Sequence, residues 1–315
     1  MRQCTLVRRN IWIDLLLYPT HTLPTAAAPA LVGVGLAIHN GVFAAVPATV
    51  AFAASWLVHI GGVFTDNYQL LTTNPDVQEH PELTAAVNDG TLRLSSLWWA
   101  IAGCFLLAAL AGPYLLSVAG VAVLVFGLIG VLASLGYSVG RFSLTRLGIA
   151  DPTFFVMFGV VAVAGIYYVQ AAPAFAGGFD WRIVPQALPL TAVVLGLPIG
   201  AIVTNVLLID DIRDREFDAL KGWQTGPVRF GVHWTRAEFA GLMVLAYVLP
   251  LWFWLGLHFS PWILLPVLTL PIAVGITRTI CTQLNFDQLF PMTPKTSALA
   301  LQYALLLGVG IAVHG

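Results

Sequence analysis

Nine apolar runs recur along this chain, at about residues 22–38, 43–65, 96–112, 115–135, 152–171, 186–209, 237–257, 261–279 and 296–313. Each is near the ~20 residues that a helix needs to cross the hydrocarbon core of a bilayer. In lipid a backbone N–H or C=O finds no water, so such a run is confined to a helix that satisfies its own backbone. Composition agrees: 58% of the 315 residues are hydrophobic and 9% are charged, where a soluble domain is roughly a quarter charged. The expected fold class is all-α, a polytopic membrane protein of nine transmembrane helices in one domain over residues 1–315. Without a basic stripe or tail, the chain offers nothing for nucleic acid to bind.

Residues 1–21, "MRQCTLVRRNIWIDLLLYPTH", begin basic and turn apolar, but the apolar part is short and is interrupted by Asp14 and Pro19. With no small-residue cleavage site, this reads as an amphipathic lead-in helix lying on the membrane rather than a signal peptide. Cys4, Cys104 and Cys281 are scattered, which suggests neither a disulfide framework nor a zinc site.

Lys and Arg divide unevenly between alternate loops: thirteen fall on one side, and only Arg182 on the other. The positive-inside rule then puts the N-terminus in the cytoplasm and the C-terminus outside. Fourteen of the fifteen Asp and Glu residues lie on the same cytoplasmic side, Asp180 excepted. Acids contribute little to topology, so their bias has another cause. Two cytoplasmic loops, 66–95 and 210–236, hold most of them, and Asp66 and Asp210, 144 residues apart, open these loops. Each follows the second helix of a four-helix set, which suggests two four-helix halves plus one added helix.

The second loop opens on "DDIRDREFDALK", in which eight of twelve residues are charged. A helix advances about 100° per residue. If span six continues, Asp210, Asp214 and Asp218 therefore share a face, with Asp211 at its edge. Like charges at this spacing destabilise a helix, and the C-terminal end of the macrodipole disfavours anions. A divalent cation is one compensation, and an all-oxygen ligand set points to magnesium or manganese. The other is a solvated charge run paired with Arg213, Arg215 and Lys221. Asp66 and Asn67, at the mouth of span two, are placed to face Asp210 across the bundle. Two such clusters at one membrane face suit two magnesium ions around a diphosphate. Glu79, Glu82 and Asp89 read as an ordinary polar loop.

At these residues the sequence resembles the UbiA-type intramembrane prenyltransferases, most closely the branch that prenylates 1,4-dihydroxy-2-naphthoate in menaquinone synthesis. The resemblance rests on "YPTHTLPTAAAPALVGVGLA" (18–37), "GIADPTFFVMFGVVAVAGIYYVQ" (148–170) and "DDIRDREFDALKGWQTGPVRFG" (210–231). The last is similar to that branch's second acidic motif, with its spacing intact. The first acidic motif departs: its positions read Val63, Asp66, Asn67, Leu70 and Asp76, with a Leu where the branch has its middle Asp. Asp210 and Asp211 stand where the second motif has a pair of asparagines, Trp223 replaces the Lys after Gly222, and Tyr18 replaces an Arg before Pro19. Carboxylate is thus richer in the second cluster and poorer in the first.

The resemblance implies magnesium-dependent transfer of an isoprenyl group from an allylic diphosphate to an aromatic or other electron-rich acceptor within the membrane. Asp66, Asp76, Asp210, Asp214 and Asp218 would hold two or more magnesium ions, with Asp211 and Asn67 completing or orienting the metal shell. Arg141 and Lys221 would hold the diphosphate. Tyr68 and Tyr137 would stabilise the allylic cation through their ring faces. Asp151 stands where the branch has Glu, and reads equally as acceptor binding, proton removal or a helix cap. The implied location is the cytoplasmic (inner) membrane of a bacterium, with the site open to the cytoplasm. Rival readings are a terpene cyclase of the same fold, a homologue without catalysis, and a cation-binding transporter. A transporter would carry ionisable residues near the middle of its spans, whereas the acids here gather at one face.

His59, within span two, reads as a hydrogen-bonded structural histidine. Most of the ten tryptophans read as interface or lipid-facing anchors. "GVGLA" and "GLIGVLASLG" read as small-residue packing seams, and Arg278 and Lys295 as snorkelling anchors.

Overall fold

The computed structural model describes residues 23–73, 80–176, 181–283 and 285–313. The amphipathic lead-in expected over 1–21, together with Asp76, Glu79 and Asp180, lies outside them. The regular structure within them is entirely helical. Its principal helices are α1 (Leu23–His39), α2 (Ala45–Thr73), α3 (Leu94–Ala119), α4 (Ala122–Gly136), α5 (Ala150–Phe175), α6 (Leu197–Lys221), α7 (Val232–Gly256), α8 (Pro261–Thr282) and α9 (Met292–Ala312). Six of them, α2, α3, α5, α7, α8 and α9, are long and apolar enough to cross a membrane. A seventh crossing forms if α6 is joined to Pro185–Val194, from which it is bent by 57°. The remaining two, α1 and α4, are apolar but have 17 and 15 residues, short of the ~20 that span the core at 1.5 Å per residue.

Every expected apolar run corresponds to one of these helices, but three ends differ. The break expected near 113 falls at Gly120, whose φ of 73° ends α3, while Pro113 stays inside the helix, as membrane helices tolerate. The second span continues past 65 to Thr73, so Asp66 and Asn67 belong to α2 and not to a loop. The sixth continues through the whole charged block to Lys221 and stops at Gly222, a left-handed cap with φ 73°.

Close glycine contacts set the helix approaches. A Cβ on Gly35 of α1 would lie 2.4 Å from the Gly308 carbonyl oxygen of α9, and one on Gly33 would lie 2.9 Å from the Val163 carbonyl oxygen of α5. The "GVGLA" seam is therefore real. In "GLIGVLASLG" the glycines Gly127 and Gly130 meet nothing and border a cavity. The contact there is made by Ser134 instead, whose hydroxyl donates to the Val58 carbonyl at 3.0 Å. Gly159 on α5 packs on Gly196 and Gly200 at the start of α6, within a π-helical stretch at Phe155–Val161. That crossing holds the N-terminal turn of α5 beside the charged end of α6.

The main core joins α1, α5, α6 and α9 and encloses Tyr167, Tyr168 and Tyr303. A second cluster buries Leu208, Ile209 and Ile212 of α6 against Phe239 and Met243 of α7, Ile276 and Ile280 of α8, and Leu299 of α9. This is the amphipathic logic of a helix, with the apolar stripe outward to the neighbouring helices and the carboxylates on the opposite side. Leu106, Leu110, Leu132 and Leu255 are exposed outside the chamber, as expected of a surface that a bilayer covers.

Candidate active site at the acidic end of the bundle

A chamber of about 810 Å³ runs between α2, α3, α4, α5 and α6. Most of its wall is apolar, with Val58, Phe105, Leu115, Val123, Phe126 and Phe158 among the lining side chains. Its polar wall includes Asp66, Asn67, Asp210, Asp211, Arg213, Asp214 and Asp218, with His59 and His80 also in the lining. A second cavity of about 500 Å³ adjoins it, sharing Asp66, Asn67, His80 and Trp223 and adding Arg141, Arg146 and Lys221. The two clusters that the sequence placed in separate loops thus border one continuous space.

The end of α6 pairs most of its carboxylates with cations of its own. Arg213 pairs with Asp210 at 2.6 Å and grips Asp214 with two nitrogens, Nε donating to Oδ1 at 2.8 Å. Thr293 at the start of α9 donates to Asp210 Oδ1 at 2.7 Å. One turn on, Lys221 Nζ lies 3.0 Å from Asp218 Oδ1 and 3.7 Å above the Trp223 ring, and the Thr225 hydroxyl donates to Asp218 Oδ2 at 3.1 Å. Arg215 pairs instead with the exposed Glu216. The pairing with Arg213 and Lys221 is as one of the two alternatives had it, but the run is not solvated: Asp214 is 6% exposed, Asp218 2% and Lys221 4%. Pairs spaced i,i+3 let the helix continue where four carboxylates alone would end it.

The end of α2 is different. Asp66 and Asn67 border both cavities, and Leu70 lines the polar one. Tyr68 does not reach this space. It packs against Phe64, Leu83 and Leu97, under the short helix Pro81–Asn88. Two residues along a helix is a turn of about 200°, so a side chain at 68 faces away from one at 66, and the expectation for Tyr68 does not stand. His59 borders the chamber, edge-on to Phe158 at 5.7 Å.

Tyr137, just past α4, borders the chamber and stands 5.7 Å from Phe154 and 6.1 Å from Trp223. Enclosure, followed by the carboxylates of Asp211, Asp66, Asp218 and Asp210, pushes its phenol well above the ordinary range, so it stays a neutral hydroxyl. Arg141, exposed, borders the polar cavity and lies over Phe142 at 4.8 Å. Asp151, at the start of α5, lies close enough to Asp211 for the two carboxyl groups to influence each other.

Three participants escaped the sequence reading. Arg146, one of the thirteen cations that the sequence places on the cytoplasmic side, lines the polar cavity. Trp223, which the sequence shows only as a replacement for the motif's Lys, borders both cavities. Glu238 on α7 comes near enough to Asp151 for the two charges to interact. Only Trp223 carried a signal, its place inside the "DALKGWQT" motif.

Among the described residues no three His, Cys, Asp or Glu side chains are gathered into a metal cage. The carboxylates on the chamber's polar wall nonetheless offer oxygen donors. Magnesium is usually held by one or two carboxylates together with substrate phosphate oxygens, and the residues present fit that mode.

The profile of the UbiA prenyltransferase family matches residues 26–287. The chain is 28% identical to 1,4-dihydroxy-2-naphthoate octaprenyltransferase of Escherichia coli, over 99% of this chain and 98% of that one. It is 27% identical to the enzyme of the same name from Mycobacterium tuberculosis, over 92% and 94%. Among solved structures, the apo UbiA homologue of Aeropyrum pernix superposes with a TM-score of 0.67 at 15% identity, over 91% of this chain and 96% of that one. The UbiA homologue of Archaeoglobus fulgidus bound to GPP and Mg2+ gives a TM-score of 0.57 at 15% identity, over 93% and 98%.

Proposed function

The chain belongs to the UbiA prenyltransferase family of enzymes, and on that footing we propose that it transfers an isoprenyl group from an allylic isoprenyl diphosphate to an aromatic acceptor within the membrane. One observation carries the reading: an apolar chamber of about 810 Å³ opens, past its carboxylates, onto a polar cavity lined by Arg141, Arg146 and Lys221. An isoprenoid tail suits the first space and a diphosphate the second. The names of the bacterial relatives point to a dihydroxynaphthalene-type acceptor and a polyprenyl donor. The Archaeoglobus homologue, with GPP and Mg2+ bound, supports the donor class and the metal.

In this reading all nine helices cross the bilayer, α1 and α4 included, with the N-terminus and the acidic end in the cytoplasm, the side favoured by thirteen of fourteen Lys and Arg residues. Asp66, Asp210, Asp214 and Asp218 would hold magnesium, with Asp76 as a further candidate from the sequence. When bound, the metal supplies charge that polarises the diphosphate and makes it a better leaving group. Arg141, Arg146 and Lys221 hold the diphosphate oxygens by charge-assisted hydrogen bonds. The allylic C–O bond breaks with its electron pair on the diphosphate. A ring carbon of the acceptor supplies the pair for the new C–C bond and then loses its proton. Tyr137, kept neutral, turns its ring toward the developing cation, and the dry apolar wall keeps water from capturing it.

The test is pyrophosphate release from purified protein with magnesium and geranyl, farnesyl or geranylgeranyl diphosphate, with and without a dihydroxynaphthalene acceptor. Release that depends on acceptor is the expected result. Release without acceptor, giving a hydrocarbon or alcohol, would make the protein a cyclase, and no release under any condition would sink the enzymatic reading.

A further inference from the structure

The charged block of α6 closes on "DALKGWQT", in which Lys221 stands just before Gly222 and Trp223 just after it. Gly222 takes a left-handed φ of 73°, which a residue without a Cβ adopts at little cost. The turn brings the Gly222 N–H to the Ala219 carbonyl at 3.1 Å and the Trp223 N–H to the Asp218 carbonyl at 2.9 Å. These are the two closing bonds of a Schellman cap. They fold the indole back over the last helical residue, so that the Lys221 ammonium lies 3.7 Å from the centroid of the Trp223 ring. The same ammonium is 3.0 Å from Asp218 Oδ1. One residue on, the Gln224 N–H donates to the Thr145 carbonyl at 2.8 Å, which pins the turn to the segment that carries Arg146. Tyr137 packs edge-on against the indole at 6.1 Å.

A lysine is a compact ammonium on a flexible four-carbon stem, so its charge is aimed only where something holds it. One carboxylate oxygen fixes how far the ammonium sits from Asp218, but leaves the stem to swing about that point. The ring face removes this freedom, because it attracts a cation lying over it, and more strongly when both are out of water. Lys221 is 4% exposed. Trp223 borders both the apolar chamber and the polar cavity, and Lys221 lines the polar one. The ring therefore holds the ammonium at the junction, where a diphosphate stands if its tail fills the chamber. The resembled motif has its Lys after the glycine. Here the Lys precedes the glycine and a Trp follows it, and the cap stacks one on the other.

We infer that Trp223 is a positioning residue for the prenyl donor: its ring holds the Lys221 ammonium at the junction of the two cavities, aimed at the diphosphate. This rests on the prenyl-transfer reading, and it adds to that reading a residue that acts through Lys221.

The test uses the purified full-length protein with magnesium. It reads the Kd for inorganic pyrophosphate, and the KM for farnesyl diphosphate and for a dihydroxynaphthalene acceptor. Trp223→Leu keeps an apolar side chain, removes the ring and leaves the Lys221–Asp218 pair in place. It should weaken pyrophosphate binding and raise the KM for the diphosphate by about five- to thirtyfold, the scale of one desolvated cation–π contact. The KM for the acceptor should move by less than about twofold, since only donor binding is touched. Trp223→Phe, which keeps a ring, should recover most of the loss. Lys221→Met should weaken pyrophosphate binding at least as much, and adding Trp223→Leu to it should cost nothing further, because the ring then has no ammonium to hold. If Lys221→Met fails to fold, the Leu and Phe variants decide alone, as neither disturbs the pair. Unchanged pyrophosphate affinity in Trp223→Leu overturns the inference. So does an equal loss in the Leu and Phe variants, a loss confined to the acceptor's KM, or losses that add in the double variant. Pyrophosphate release by the wild type reads the premise separately: the expected binding pattern without acceptor-dependent release would remove the transferase reading and leave the role of Trp223 standing.

Discussion

α2 and α6 bring their polar ends to the same space, but they deal with charge in opposite ways. Over Asp210–Lys221, α6 carries its own counterions: Arg213 for Asp210 and Asp214, and Lys221 for Asp218. Threonines from outside the helix, Thr293 and Thr225, complete the pairs. The end of α2 offers Asp66 and Asn67 and then Leu70, with no Arg or Lys from Ala45 to Thr73. A helix end that pairs its own carboxylates can be buried and rigid before any ligand arrives. One that brings two polar side chains and a leucine can contribute donors but little scaffold. The block on α6 is therefore framework and candidate ligand set at once, and the two roles separate by mutation.

The largest effect is expected at Asp214. Replacement by Ala should lower turnover by at least about a hundredfold, since metal and diphosphate lose a charged partner worth several kcal/mol in the transition state. The protein should stay folded, because Arg213 keeps Asp210 at 2.6 Å and its bond to Thr293. Wild-type activity in this variant would remove the assignment of Asp214 to the metal. Asp218→Ala separates the other role. It leaves Lys221, 4% exposed, without its carboxylate, and breaking a buried pair from one side costs about 3–5 kcal/mol. The thermal midpoint in detergent should fall by several degrees. An unchanged midpoint would mean that α6 does not depend on its internal pairs.

How much of this was legible beforehand follows from what a one-dimensional pattern can carry. Apolar runs gave every principal helix, because lipid enforces helicity wherever the run is long enough. The ends escaped. Nothing in hydropathy shows that α2 runs on to Thr73 or α6 to Lys221, since their last turns are polar and are held by ion pairs and tertiary contacts. Acid spacing put Asp210, Asp214 and Asp218 on one face, and the structure sets all three at the chamber. Tyr68 was misjudged because proximity in sequence to Asp66 was allowed to stand for direction, when two residues along a helix point to opposite sides. The closeness of Asp151 to Asp211 could not be read at all. It follows from how α5 crosses α6, where Gly159 meets Gly200, a crossing that no local pattern announces.

A smaller effect should follow from making α2 more like α6. Leu70 lines the polar cavity, and Leu70→Asp restores a carboxylate where the resembled first motif has one. The magnesium concentration for half-maximal turnover should drop by about three- to tenfold, the increment of one more oxygen ligand in a site that uses few. No change would mean that the end of α2 lies outside the metal's reach and that α6 alone holds it.

The smallest effect asks whether the two ends differ in stability as well as in chemistry. The Thr293 hydroxyl ties α9 to Asp210 at 2.7 Å, and a hydrogen bond to a charged group is worth about 1.5–3 kcal/mol. Thr293→Val keeps the shape and removes the donor, and the cost belongs at the low end because Arg213 still holds Asp210. Thr65→Val is the matching change on α2. That hydroxyl donates to the Gly61 carbonyl of its own helix at 2.7 Å, a bond that competes with the backbone ladder and adds little, so its loss should move stability by less than about 0.5 kcal/mol. Unfolding midpoints of the two variants, measured side by side, should separate by a degree or more, with Thr293→Val the lower. Equal midpoints would mean that the acidic end of α6 is held by its own ion pairs alone, and that the contact from α9 fixes the orientation of Asp210 without stabilising the fold.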